Sequence, residues 1–213
     1  EPANANAING SDLFAVRFYG SGSDSPAGDG TMVTCAGQSV PAPTGTPDTS
    51  ELGLSLFWIS TPKKRSTGST DEEPSLYCTD RAWSVSGGAW TRSTDLIARG
   101  VEIMQIVYAE DRAKADGTLY VATDYTNNNV DDVPDQWVKA EDVNNWQHVK
   151  AIRVGLVLRG APGSAQVKEA WTGYPLGKDF VNSSSTYQFT APNDNRLRKA
   201  YVATFMLRNN PNL

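Results

Sequence analysis

The sequence is poorest in the residues that most enzymes use for proton and metal chemistry. It contains one histidine and two cysteines in 213 residues. A Ser-His-Asp triad would have to be built on His148, and no GxSxG turn accompanies it. Zinc would need several nitrogen or sulfur ligands, and a single histidine with a pair of cysteines does not supply them. No GxxxxGK[ST] or GxGxxG loop is present to cradle the phosphates of a nucleotide. Positive charge is also scarce: 19 Lys and Arg against 24 Asp and Glu leave a net charge of -5. Such a chain makes a poor default partner for nucleic acid, whose phosphates must be neutralised by a basic face. No run approaches the ~18 apolar residues of a membrane span. The most apolar stretch, Leu52 to Ile59, is too short and is interrupted by Gly53 and Ser55. The chain starts at Glu1 without a signal peptide and is read as a mature or trimmed protein, with any leader encoded upstream.

What is present is the composition of an ordinary globular chain. Hydrophobic residues make up 39% and charged residues 20%. That is enough apolar surface to offset the entropy of ordering, so disorder is excluded. Scattered glycines and the lack of heptads exclude collagen and coiled coil. Cys35 and Cys78 stand outside any CxxC or metal-ligand spacing. They are read as a disulfide, worth roughly 4 kcal/mol for a loop of that length. The alternative is two buried thiols in a reducing compartment. The Ser/Thr/Asn/Gly-rich surface favours the disulfide and a periplasmic or extracellular setting.

Periodicity predicts strands almost throughout. Asp12 to Tyr19 alternates, Gly20 to Gly30 is a Gly/Ser/Asp loop, and Thr31 to Ala36 is expected to be a strand. Ala42 to Ser50 is a loop, Leu52 to Ser60 an apolar strand, and Thr61 to Glu73 a polar excursion. Ser75 to Thr79 returns to the sheet. After a turn at Gly87-Gly88, Thr94 to Arg99 leads into Val101 to Ala109, whose clean alternation predicts a half-buried strand. Leu119 to Thr123, Lys150 to Arg159 and Ala200 to Arg208 are further strands. Ala140 to Val149 is the best helix candidate, with Val143 and Trp146 three residues apart. Without an internal repeat or a break in composition, residues 1–213 read as a single domain, mainly β and α+β at most.

Few residues promise chemistry. The segment Asn127 to Asp135 places Asn127, Asn129, Asp131 and Asp135 at alternating positions, as loops that wrap calcium do. Asp132 occupies the place of the sharp-turning glycine and no Glu closes the set, so an Asx-rich turn is the competing reading. Asp71-Glu72-Glu73, Glu110-Asp111 and Lys63-Lys64-Arg65 read as solvated loop charges. The tryptophans (Trp58, Trp83, Trp90, Trp137, Trp146 and Trp171) lie within or beside expected elements. Packing accounts for at least four of the six better than a carbohydrate platform does. Neither a catalytic constellation nor a cofactor site emerges, calcium at that loop excepted.

Several phrases then occur in a fixed order: DLFAVRFYGSG, TMVTCAG, EPSLYC, LIARGVEIMQIVYAED, DDVPDQWVKAEDVNNWQHVKAIRVGLVLR and NRLRKAYVATFMLRNN. Together they resemble the soluble domain of PilW-type minor pilins, which are type IV pilus assembly proteins. The likeness is densest over Leu96 to Asp111, Asn127 to Arg159 and Arg196 to Asn209, and weakest over Gly160 to Ser185. It departs from the family at Asn127 and Asp132, where relatives often carry Asp and Gly.

The resemblance implies a non-catalytic, β-rich pilin head of antiparallel sheets with a short helix and long loops. It implies a prepilin leader and a hydrophobic N-terminal helix ahead of Glu1. That helix would anchor the subunit in the inner membrane of a Gram-negative bacterium, with the head in the periplasm and later outside the cell in the pilus. Other minor pilins, the major pilin and a tip adhesin are the implied partners, in a complex that primes and caps the fibre. The role is similar to that of the J-type pseudopilin of type II secretion. The alternative is a secreted adhesin or carbohydrate-binding module, which predicts clustered surface aromatics around a groove. A secreted hydrolase would require two close, desolvated carboxylates in a cleft.

Overall fold

The pleated backbone of a strand points successive side chains to opposite faces, so apolar and polar residues alternate where one face is buried, and strands dominate the described residues. The computed structural model describes residues 8–22, 27–61, 73–111, 134, 136–166, 170–178 and 187–207. Among these, regular structure consists of β-strands and one-turn 3-10 segments, without an α-helix. The mainly-β, antiparallel architecture expected from periodicity is therefore the observed one. No helix among the described residues is long and apolar enough to cross a membrane. The chain divides into two compact units, Gly10–Glu102 and the combination of Glu1–Asn9 with Ile103–Leu213.

The unit Gly10–Glu102 is built on β1 (Phe14–Phe18), β2 (Gly53–Ser60), β3 (Ser75–Ser84) and β4 (Ala89–Arg99), which lie side by side in that order. β3 and β4 form a hairpin turning at Gly87-Gly88, where Gly88 adopts φ +58°, a left-handed conformation that glycine takes without steric cost. Both strands run further toward that turn than the sequence suggests. Their extra residues, Asp80 to Ser84 and Ala89 to Ser93, are polar or mixed and carry no apolar alternation, because β4 is an edge strand exposed over most of its length. The strand expected over Thr31 to Ala36 does not form. Only Val33 bridges to Ser39, and Gly37, at φ +76°, turns the chain back on itself. The pull of Thr34 and Cys35 toward the sheet, described below, replaces a ladder there.

In the second unit the sheet order is β10-β7-β5-β6, from β5 (Val101–Glu110), β6 (Gln136–Val138), β7 (Val149–Arg159) and β10 (Arg198–Met206). A small ribbon of β8 (Thr172–Gly173) and β9 (Phe189–Thr190) accompanies it. The alternation in β5 predicts one wet face, yet every residue from Val101 to Glu110 is buried. On one face Ile103 packs with Val157, Phe189 and Ala191, and Trp171 and Ala200 press against that cluster. On the other, the Tyr108 ring meets Trp146 edge-on at 4.9 Å, and Glu110 accepts hydrogen bonds from the backbone N–H of Asn144 and Asn145.

The segment covering that second face was expected to be a helix. It forms two 3-10 turns instead, Ala140–Asp142 and Trp146–His148, with Val143 extended between them. Asn145 caps the second turn by accepting from the Gln147 N–H at 3.0 Å. Asp, Asn and β-branched Val are poor helix formers because their side chains compete for backbone groups or lose rotamer freedom. So short a segment has no cooperative length to overcome that.

Candidate docking surfaces

Each unit holds irregular chain against a sheet by a different device. In Gly10–Glu102 the segment 27–41 lies over the face that carries Gly53, Ser55, Cys78, Asp80 and Ala82. Cys35 and Cys78 are joined in a disulfide across 43 residues, with Cα atoms 6.4 Å apart. Beside it the Thr34 hydroxyl donates to Asp80 at 2.8 Å, and the Cys35 N–H donates to Ser55 Oγ at 3.0 Å. The other Asp80 oxygen accepts from the Ser93 N–H and hydroxyl at 3.0 and 2.7 Å. A carboxylate that is only 2% exposed thereby exchanges its water for three donors. The end of the segment is fixed by Val40, fully buried. A Cβ at Gly20 would overlap the Val40 carbonyl, and one at Gly53 would approach Val40 Cγ2 to 2.6 Å, so small residues make the room this side chain fills.

An exposed polar hub closes the same region. Asp29 accepts from the Ser21 and Thr31 hydroxyls, both at 2.7 Å, and from the Thr31 N–H at 3.0 Å. These bonds, the Ser21 hydroxyl first, favour the charged form and hold its carboxyl at about 2.

In the second unit the fastener is an ion pair. Arg198, its side chain entirely buried, donates through both terminal nitrogens to the two oxygens of Asp194, each at 2.7 Å. Arg196 approaches Asp194 at 3.7 Å and donates to the Gly160 carbonyl at 3.1 Å. Bidentate pairing of this kind satisfies the guanidinium fork and fixes its orientation. The Arg198 hydrogen bond, with the charges of Arg198 and Arg196, lowers the Asp194 carboxyl below the usual range. The last strand is thereby anchored at its start, where β10 meets Arg159 of β7.

Among the described residues, two sheet faces carry exposed or half-buried side chains. On the pair β10–β7, the register places Tyr201, Ala203 and Phe205 beside Leu156, Val154 and Ile152. Tyr201 is 49% and Phe205 56% exposed. On the sheet of Gly10–Glu102, the face opposite segment 27–41 carries Trp58 stacked on Tyr77 at 5.2 Å and Trp83 edge-on to Trp90 at 6.0 Å. It also carries a transverse row formed by Arg17, Leu54, Arg81 and Arg92, one residue from each strand. The Arg81 guanidinium lies 4.3 Å over the Trp90 ring and donates to the carbonyls of Leu52 and Ser50. Burial first, then the charges of Arg92 and Arg17, lower its pKa from the ordinary arginine value.

The candidate residues read from the sequence fare unequally. Cys35 and Cys78 come together. Asn127, Asn129, Asp131 and Asp135 lie outside the described residues, as do Lys63-Lys64-Arg65, Asp71-Glu72 and the expected strand Leu119 to Thr123. Among the described residues no group of three or more His, Cys, Asp or Glu could hold a metal ion. His148 ends a 3-10 turn and its carbonyl accepts from the Asp111 N–H at 3.0 Å. Trp58, Trp83, Trp90, Trp146 and Trp171 all make ring contacts within their units, in keeping with packing roles. The arginine row, Asp80 and the Asp194–Arg198 pair were missed. Strand parity relates each arginine only to neighbours in its own strand, and only the register reveals that Arg17, Arg81 and Arg92 share a face.

The two units thus present antiparallel sheets with exposed side chains on these faces, an arrangement suited to assembly by contact. Residues 57–209 match the family described as Type IV Pilus-assembly protein W, PilW, and the chain belongs to that family. The match begins within β2 and runs past the end of β10, so β1 and Cys35 precede it. A type IV-like pilin from Thermus thermophilus is similar at 19% identity, over 76% of this chain and 81% of that one, with a TM-score of 0.24. No curated protein matches the chain.

Proposed function

We propose that this chain is the head of a non-catalytic minor pilin, which docks with other minor pilins to prime and cap type IV pilus assembly at the tip. Membership of the PilW family over residues 57–209 is the observation that carries this reading. The exposed side chains of the sheet faces suit it, since loops and exposed faces on a rigid scaffold are where contacts are made. The disulfide suits an oxidising compartment, and we place the head in the periplasm and then outside the cell in the fibre. The major pilin and a tip adhesin complete the set of partners, with the subunit anchored in the inner membrane through a helix encoded upstream.

Deletion of the gene, with counting of surface pili, is the first test. Loss of pili that the intact gene restores, together with co-purification of other minor pilins by the tagged subunit, is the expected result. Normal piliation in the deletion strain and no captured minor pilin would overturn the reading. The upstream sequence offers a cheaper check: a short basic leader, a Gly-Phe-like cleavage site, and about twenty apolar residues. An ordinary cleavable signal without that helix would contradict it.

A further inference from the structure

The arginine row breaks a local rule of sheet design. Register sets Arg81 directly opposite Arg92, and Arg17 lies in the same row on β1. Like charges directly opposed across an antiparallel pair are destabilising, and this chain has more acids than bases to spare. Yet the two carboxylates within these strands, Asp80 and Asp95, share the opposite face with Cys78. The nearby Asp48 and Glu51 are engaged by Ser50 and Thr44. Arg81 is immobilised by two carbonyls and the Trp90 ring. Arg92 is exposed, and Arg17 donates to the Thr49 carbonyl at 3.2 Å. A local cost of this kind is explained when an anion arrives from outside.

We propose that this face docks an acidic polypeptide segment of a pilus partner, whose carboxylates pair with Arg17 and Arg92 on either side of the fixed Arg81. The inference rests on the pilus-docking reading above. A protein partner fits better than a glycan or a single-stranded nucleic acid, both of which bind by stacking on open aromatic rings. Here each ring already has a partner on one side: Trp58 stacks with Tyr77, Arg81 lies over Trp90, and Trp83 meets Trp90 edge-on. The Thr79 and Thr94 hydroxyls, bonded to each other beside the row, leave one O–H to donate to a carboxylate oxygen.

The test uses the whole chain and a fluorescein-labelled hexaglutamate peptide, read by anisotropy at low salt. Hexaglutamate should bind and weaken as salt rises through the screening range. R17E/R92E, shown folded by circular dichroism, should bind it several-fold less, while R17K/R92K should keep most of the affinity. Equal binding by R17E/R92E and the parent chain would overturn the proposal. Tighter binding of a heparin oligosaccharide or of oligo-dT than of hexaglutamate would overturn it in favour of a glycan or a nucleic acid. In cells, loss of piliation and of minor-pilin capture by R17E/R92E would support it. Normal piliation by that variant would sink the arginine face and leave the docking reading intact. Failure of the parent chain itself to capture any minor pilin would sink both.

Discussion

The two units solve the same problem with different chemistry. In Gly10–Glu102 an irregular segment is held on its sheet by a disulfide, three donors on buried Asp80, and Val40 seated where Gly20 and Gly53 leave room. In Ile103–Leu213 the strand β5 is covered by apolar packing on one face and ring and backbone contacts on the other. There β10 is fastened by the buried Arg198 guanidinium pairing with half-buried Asp194. Arg198 and Asp194 fall wholly inside the family match, whereas Cys35, Thr34 and Val40 lie before it. A covalent tie stabilises chiefly by restricting the unfolded chain, so it can hold a polar segment that buries little. An ion pair has no such effect and must be supported by the geometry around it.

That contrast can be broken experimentally. The largest effect is expected for C35S/C78S, at about 4 kcal/mol from loop entropy, read as a fall in denaturant midpoint. Hydrogen exchange should accelerate at the Thr34, Gly37 and Val40 amides, which bond within or beside the strap. The Gly160 and Ala191 amides, which bond to Leu197 and Trp171, should be spared. An unchanged midpoint would show that the polar bonds and Val40 suffice alone. Thiol titration of the parent protein, denatured without reductant, should find no free thiol.

Next comes Asp194→Ala, which leaves the buried Arg198 guanidinium its bond to the Arg196 carbonyl but removes the carboxylate that balances its charge, and should cost about 3 kcal/mol. Replacing both partners, as in D194L/R198M, should cost less than that single change; a larger loss would mean the pair contributes net stability. Acid offers a second handle on it. Because pairing lowers the Asp194 carboxyl, its contribution is complete above the ordinary carboxylate range and is lost as pH falls through the lowered folded value. Acid titration of D194N should lack that component of the stability loss.

Gly20→Ala should cost about 2 kcal/mol by overpacking, since its Cβ meets a backbone carbonyl that cannot swing away. Gly30→Ala is the control. Its Cβ meets nothing within 4 Å, and only its φ of +78° is strained, at about 1 kcal/mol. Equal losses would show that Val40 has space to shift. The smallest effect is expected at Asn127, Asn129, Asp131 and Asp135: calcium and chelator should leave Tm unchanged if this is an Asx-rich turn. A calcium-dependent rise in Tm would revive the metal reading.

Most of the strand framework was legible in advance, because β1, β2, β5, β7 and β10 carry apolar alternation of their own. β4 was half hidden. An edge strand exposed on both faces has no reason to alternate, and Ala89 to Ser93 reads as the flank of a turn. Thr31 to Ala36 failed in the other direction. It has the β-branched composition of a strand, yet its side chains find better partners in Asp80, Ser55 and Cys78 than its backbone would find in a ladder. Val101 to Ala109 forms the strand its alternation predicts, but both faces are buried, and Glu110 and Asp111, which read as solvated loop charges, are buried as well. Periodicity records one apolar face and is silent on Glu110 capping the turn at Asn144 and Asn145.

By itself, then, the sequence determined where the strands run, which residues alternate along each, and that no triad, zinc set or nucleotide loop was at hand. These are local properties, set by neighbours two to four positions away. Only the tertiary structure decided that Arg17, Arg81 and Arg92 form one row, that Asp80 lies beneath Thr34, and that Asp194 closes on Arg198 beside Gly160. Such meetings depend on register and on which face each strand turns inward. A slip of one residue would send every side chain to the other face, and no local pattern in β1 records what stands opposite on β4.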